Sequence, residues 1–336
     1  LTMPASLRMA VVGAGHFGRI HAEKIAHHAR AKLVAVADVR KERAAEVARE
    51  LGCRAAFDHR ELIGGVDAVS VVVPTRHHFD VASAFLESGA HVLVEKPITH
   101  DIESARGLID LARSRDLVLQ VNHLVRFSAL ADVVYRQLTH PLYVESVRVT
   151  PFKHRGTDVN VILDLMIHDI DLVLHFVDSE IVSLDAAGAP VVSDTEDIAN
   201  VRLKFANGCV ASITASRISH KTERRLRIFQ PDTYLNVDFD RHVVTRFRRI
   251  GGESMGSVPN VEVSDASFAG EDDPLARSID SFIRVVLDGG KMLVSGDDGL
   301  RALEAATRVN ECLARHAEFV ADATELALPK ARRSSG

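Results

Sequence analysis

The sequence is short of cysteine, of net charge and of long apolar runs, and each shortage excludes a class of protein. Cys53, Cys209 and Cys312 stand alone among 336 residues, with no C-x-x-C spacing. Neither a disulfide framework nor a thiolate zinc site is expected, and a reducing compartment is the simplest reading. Lysine and arginine number 41 against 46 aspartates and glutamates, a formal charge of −5. That balance gives no electrostatic reason to expect nucleic acid or a membrane surface as partner. The one basic cluster, Lys330 to Arg333, falls in a tail expected to be flexible. No apolar run approaches the ~20 residues of a membrane span. Leu1 to Arg8 is too short and too polar for a signal peptide, which leaves the cytoplasm as the expected compartment. There is no G-x-S-x-G elbow to support a serine hydrolase, and no internal repeat or low-complexity segment.

What is present points elsewhere. Residues 10–18, Ala-Val-Val-Gly-Ala-Gly-His-Phe-Gly, end an apolar run in a G-x-G-x-x-G loop, and Asp38 follows twenty residues after the last glycine. A β-type run precedes the loop, a helical stretch follows it, and a second apolar run at 33–37 delivers the acid. That context is what a dinucleotide-binding fingerprint requires. Gly13 permits the tight turn, Gly15 lets the backbone approach a pyrophosphate, and Gly18 lets helix and strand pack closely. The helix start at His16, Phe17 and Gly18 offers unpaired N–H groups and a positive dipole end to the phosphates. Asp38 would accept from the adenosine ribose hydroxyls and repel a 2′-phosphate. NAD is therefore favoured, with NADP kept as the alternative by nearby Arg40 and Lys41.

Over the first ~125 residues short β-type runs alternate with helical stretches, the pattern of a parallel sheet wound by crossovers. Six strands are expected, and the run 66–73 is nearly continuous in β-branched residues, as a strand buried on both faces requires. Beyond residue 126 the pattern changes. A helix over 159–176 precedes long β-type segments spaced by turn signals such as Ala206-Asn207-Gly208, which predicts antiparallel pairing. Two helices, 274–287 and 297–315, are expected to pack back on the first domain.

Three residues stand out for chemistry. Glu95-Lys96-Pro97 ends a parallel strand, where open α/β sheets place their ligands. Pro97 restricts Lys96 to extended conformations. Lys96 is either a group that holds a substrate hydroxyl as its proton leaves or a surface lysine at a strand end. Asp164 and His168 are i and i+4 on the 159–176 helix and share a face on an otherwise apolar element. His168 is either a base near neutral pH, with Asp164 positioning it or the substrate, or half of a satisfied ionic pair, with Asp169 and Asp171 on the outer face. His77 and His78 are adjacent on a loop and point apart, with no acid or cysteine cluster beside them, so no metal is expected.

Together the glycine loop, Asp38, the Val71–Thr75 run with His78, Gly89 to Pro97 and the Asp164…His168-Asp169 helix resemble the glucose–fructose oxidoreductase / inositol dehydrogenase (Gfo/Idh/MocA) family. The resemblance runs through nearly the whole chain, including Val294 to Leu303. It implies an α/β protein: an N-terminal Rossmann doubly wound parallel sheet over 1–125, and a C-terminal α/β substrate and oligomerisation domain with a large, mostly antiparallel sheet over 126–325. Residues 326–336 are expected to form a flexible tail. It also implies a homodimer or homotetramer formed through that sheet. By the same resemblance Lys96, Asp164 and His168 form the catalytic constellation and Glu95 contacts the nicotinamide ribose. Val73, Pro74, Thr75 and His78 lie near the cofactor.

The activity implied is NAD-dependent oxidation of a secondary hydroxyl of a sugar. The segment 153–171 is similar to members that oxidise the 3-hydroxyl of UDP-N-acetylglucosamine, with Arg126, Lys153 and Arg155 as donors to a diphosphate or to sugar hydroxyls. One departure is Asn122, where those members carry glycine; its amide is expected to touch the nicotinamide or narrow the pocket. A dehydrogenase of a free polyol such as inositol, an NAD-using glycosidase and a non-catalytic NAD-binding regulator are the alternatives on the same fold.

Overall fold

In a computed structural model of the chain, which describes residues 6–152, 160–251, 260–267 and 272–327, the β-type runs become two sheets. The first is built from β1 (Leu7–Val12), β2 (Ala31–Ala37), β3 (Arg54–Ala56), β4 (Ala68–Val71), β5 (His91–Val94) and β6 (Leu119–Val121). Every pairing in it is parallel and the order is β3-β2-β1-β4-β5-β6. The intervening helices are α1 (His16–Ala26), α2 (Lys41–Leu51), α3 (His78–Glu87) and α4 (Ile102–Ser114). This is the doubly wound arrangement that the alternating pattern predicts. β4 is buried along its whole length, which explains its unbroken apolar character. The strand order reverses between β1 and β4, the switch point at which such sheets open a crevice at their carboxyl ends.

After α5 (Ala129–Tyr135), too short to register in the hydrophobic pattern, come β7 (Tyr143–Val149), α6 (Ile167–Val177), β8 (Ile181–Ala189), β9 (Ile198–Phe205), β10 (Val210–Ser216), β11 (Glu223–Phe229), β12 (Thr233–Asp238), β13 (Val243–Arg249) and β14 (Val261–Ser267). They form an eight-stranded sheet in the order β14-β13-β12-β11-β7-β10-β9-β8. All its pairings are antiparallel except β7 with β10, which is parallel. β14 was not legible because its residues are largely exposed and carry no clean alternation. The chain closes with α7 (Pro274–Asp288) and α8 (Gly296–Ala327).

Contacts divide the chain into one unit of Leu1–Asp132 with Glu271–Leu303 and another of Val133–Gly270 with Glu304–Gly336. In the first, α7 presents Leu275, Ile279, Phe282 and Ile283 to Met9, Val11, Ile25 and Leu93, completing the core around β1. In the second, α6 packs on β7 and β10, and α8 reaches β8 through Cys312 and Leu313. The three cysteines are free thiols, and among the described residues no helix is long and apolar enough to cross a membrane.

Candidate functional site

The glycine loop leaves the carboxyl end of β1, and each of its glycines answers a separate steric demand. Gly13 sits at φ +103°, and a Cβ there would lie 2.2 Å from the carbonyl oxygen of Val72. A Cβ on Gly18 would lie 1.7 Å from the carbonyl oxygen of Gly13, so α1 can approach β1 only without a side chain. Gly15 has no neighbour within 4 Å of an added Cβ. Protein packing does not demand a glycine there, and the open space leaves room for a ligand to approach the backbone. Gly15 caps α1 with no side-chain acceptor on its first amides, and Phe17 is exposed. Asp38, at the end of β2, accepts the Ala14 amide at 2.7 Å and the Arg40 amide at 2.8 Å. Open space beside the loop, unclaimed amides and a carboxylate with spare lone pairs fit a dinucleotide.

Val73, Pro74 and Thr75 follow β4, and Glu95 and Lys96 follow β5, all half-buried or exposed at the carboxyl edge of the sheet. The Lys96–Pro97 peptide is cis. His77 is exposed and His78 buried. The His78 ring spans the two strand-end loops, with Nδ1 2.8 Å from the Pro97 carbonyl and Nε2 2.9 Å from the Val73 carbonyl. Burial pushes its imidazole below the ordinary histidine value, against the two carbonyls.

Glu95 lies in a polar cluster that the sequence reading missed. His21 of α1 is 3.1 Å from Glu95 Oε1 and 2.8 Å from the hydroxyl of Ser70 on β4. The Asn122 amide donates to the same Glu95 oxygen, and its carbonyl accepts the Ser278 hydroxyl of α7 at 2.7 Å. Burial pushes the Glu95 carboxyl upward, but the bonds from His21 and the Asn122 amide and the charge of Lys96 outweigh it and hold the group below its ordinary value. The Asn122 side chain is fully buried and bonded to Glu95 and Ser278. The signal for the missing partners was present: His21 is a polar residue on the buried face of α1 with Ala22 and Ile25, and Ser70 is the one polar side chain in β4.

Arg126 is buried as well. Its side chain is 3% exposed, paired at 3.0 Å with Asp298 and bonded to the Leu293 carbonyl at 3.0 Å. Burial raises the Asp298 carboxyl, while the Arg126 charge and the Ser295 bonds bring it below its ordinary value. Arg126 thus bonds the segment after β6 to the start of α8. Lys153 and Arg155 lie outside the described residues.

In the second unit Asp164 and His168 are both half-buried. Asp164 belongs to a π-helical turn, Ile162–Met166, that runs directly into α6. Such turns widen a helix locally and cluster at functional positions. The residue after His168 is an anchor: Asp169 accepts from Ser146 Oγ at 2.8 Å and from Arg148 Nε at 2.5 Å, both on β7. Asp169 and Asp171 are buried, not on an outer face as expected, because charge pairing across α6 and β7 offsets the cost of burying the first of them. His175 stacks on Tyr135 at 4.9 Å.

Comparison with known proteins follows this division. A model of the GFO/IDH/MocA oxidoreductase family with an NAD-binding Rossmann fold matches residues 7–123, and a model of the GFO/IDH/MocA C-terminal domain matches residues 118–231. UDP-N-acetylglucosamine 3-dehydrogenase of Acidithiobacillus ferrooxidans is 40% identical over 304 residues, 90% of this chain and 96% of that protein. A solved structure of that enzyme matches with a TM-score of 0.86, covering 92% of this chain and 98% of its own. Inositol 2-dehydrogenase of Rhizobium meliloti is 27% identical over 318 residues, 90% of this chain and 95% of that protein.

Proposed function

The chain belongs to the glucose–fructose oxidoreductase / inositol dehydrogenase (Gfo/Idh/MocA) family of oxidoreductases, and we propose that it oxidises the 3-hydroxyl of UDP-N-acetylglucosamine, or of a closely related nucleotide sugar, with NAD. The observation that carries this reading is the 40% identity, end to end, with an enzyme named for that reaction. Lys96, Asp164 and His168 supply the residue types it needs.

Bound NAD supplies the hydride acceptor. The chain must bind the dinucleotide, hold the hydroxyl oxygen and move one proton. The Gly15 backbone and the start of α1 would hold the pyrophosphate, Asp38 the adenosine ribose and Glu95 the nicotinamide ribose. Lys96 holds the substrate oxygen as negative charge develops, His168 takes the hydroxyl proton, and Asp164 positions that imidazole or the sugar. With NAD bound, the carbinol would become a ketone as His168 takes its proton, and in reverse His168 would return that proton. We assign Lys153 and Arg155 to the sugar diphosphate, without Arg126.

The test is a panel of UDP-sugars and free polyols, each with NAD, followed at the NADH absorbance band. Turnover of UDP-N-acetylglucosamine is expected. Turnover of inositol or glucose with none of the nucleotide sugar would replace the reading with a second one, a polyol dehydrogenase. One observation favours that second reading: Arg126 is withdrawn into its pair with Asp298, which leaves fewer cations to meet a diphosphate.

We also propose that the chain forms a homodimer or homotetramer through the second sheet. The face of that sheet away from α6 carries an aromatic row, Tyr143, Phe229, Tyr234 and Phe247, with successive rings 4.6 to 5.8 Å apart. Beside it, Glu145, Glu223, Arg225 and Arg227 line a shallow cavity of mixed charge. A surface with both signs and apolar rings is suited to pairing with its own copy.

A further inference from the structure

Of the polar side chains buried in the first unit, His21 has no part in the reaction described above, yet it is 1% exposed and touches a residue that has one. Its two bonds fix its chemistry. The Glu95 carboxylate only accepts, so His21 Nε2 carries the proton, and Nδ1 is left to accept the Ser70 O–H at 2.8 Å. Asn122 is equally constrained: its carbonyl takes the Ser278 hydroxyl, which turns its NH2 toward Glu95. Ser278 is held in turn by Gln120 Nε2 at 3.1 Å. Among the described residues Glu95 Oε1 therefore receives two donors, while Oε2 receives the Lys96 amide at 3.3 Å. The Glu95 side chain retains 18% exposure.

We propose that His21 is a positioning residue of the dinucleotide site: seated on Ser70, it saturates Glu95 Oε1 together with Asn122 and so presents Oε2 as an oriented acceptor for the ribose at the nicotinamide end. This rests on the reading that Glu95 meets that ribose. Elements far apart in the chain share the work, since α1 brings His21, β4 brings Ser70, β5 brings Glu95, and the residue after β6 brings Asn122. Helix α1 thus acts on the bound dinucleotide at two places, through its first amides at the pyrophosphate and through His21 farther along the helix at the carboxylate.

The experiment measures NADH affinity by fluorescence enhancement in wild type, His21→Leu, Glu95→Gln and the double variant. His21→Leu is expected to weaken binding about tenfold, the value of one hydrogen bond to a charged group. In the Glu95→Gln background the same change is expected to move affinity less than about twofold, because a residue acting through another has nothing left to orient. His21→Gln, whose amide keeps a donor, is expected to recover most of the loss. Multiplying effects in the double variant, or wild-type affinity in His21→Leu, would overturn the proposal. A wild-type chain that binds no NADH would instead overturn the cofactor reading. Should His21→Leu fail to fold, two measurements remain. Nitrogen NMR of labelled histidine in the ligand-free protein is expected to show His21 protonated at Nε2, and protonation at Nδ1 overturns the proposal. Ser70→Ala is expected to weaken NADH binding in the wild-type background but not beside Glu95→Gln, and equal effects in both backgrounds also overturn it.

Discussion

The Asp38 carboxylate already accepts the amides of Ala14 and Arg40, which holds it at the end of β2 with lone pairs to spare. Under the proposed NAD preference, Asp38→Ala is expected to relax discrimination against NADP, read as the ratio of kcat/KM for the two dinucleotides; an unchanged ratio would remove Asp38 from the ribose contact. Lys96→Ala and His168→Ala are each expected to lower kcat about 10²-fold or more, the usual contribution of a group that handles a proton or a developing charge. NADH affinity should survive both, because neither residue is assigned to the phosphates or the adenosine ribose. Affinity falling in step with kcat would mean that these side chains bind cofactor instead of doing chemistry.

At the scale of elements, the helix that carries His168 is held by charge as well as by apolar packing. Arg148 on β7 and Asp169 on α6 pair with side-chain exposures of 9% and 3%. Arg148→Met removes the cation and leaves Asp169 accepting from the Ser146 hydroxyl on that strand. A loss of about 3 kcal/mol in stability is expected, since breaking one side of a buried pair strands the other. Urea unfolding measures it, and a change under 1 kcal/mol would show that apolar contacts alone seat the helix. The aromatic row on the opposite face of the sheet makes a second prediction for an element. Arg227, bonded to Glu145 at 2.8 Å, borders the proposed interface, and Arg227→Glu is expected to lower the mass seen by light scattering; an unchanged oligomer would move the interface elsewhere.

For the molecule as a whole, stability should depend on acid in two stages. Burial lowers the His78 imidazole, so below about pH 6.5, the ordinary histidine value, the unfolded chain binds a proton that the folded one resists. Stability is therefore lost as pH falls through that range. Glu95 and Asp298 are held below their ordinary values. Their contribution is complete above about pH 4.5 and is lost as pH falls through their lower folded values. The expected curve of Tm against pH is a plateau near neutrality, a shallow decline below about 6.5 and a steep one below about 4. A Tm that rises on acidification would contradict both assignments.

How much was legible depends on how far apart in the chain the partners stand. Loop geometry, strand alternation and the six-stranded parallel sheet are governed by neighbours within one βαβ unit. Gly13, Gly15, Gly18 and Asp38 could therefore be read directly, because backbone sterics and side-chain period act locally. The antiparallel character of the second sheet was legible from turn signals for the same reason, whereas the parallel contact of β7 with β10 was not. The polar interior escaped the sequence. A buried polar side chain interrupts an apolar run in the same way whatever it pairs with, and hydrophobic pattern says nothing of the partner. Asn122 was expected at a cofactor and Arg126 at a substrate, and the pattern gave no sign that their side chains bond inside the first unit, to Glu95 with Ser278 and to Asp298. The sequence alone determined the elements and the chemical types available to them. Tertiary structure decided which polar groups are consumed in holding the site and which remain to act, because each such bond joins residues that only packing brings within 3 Å.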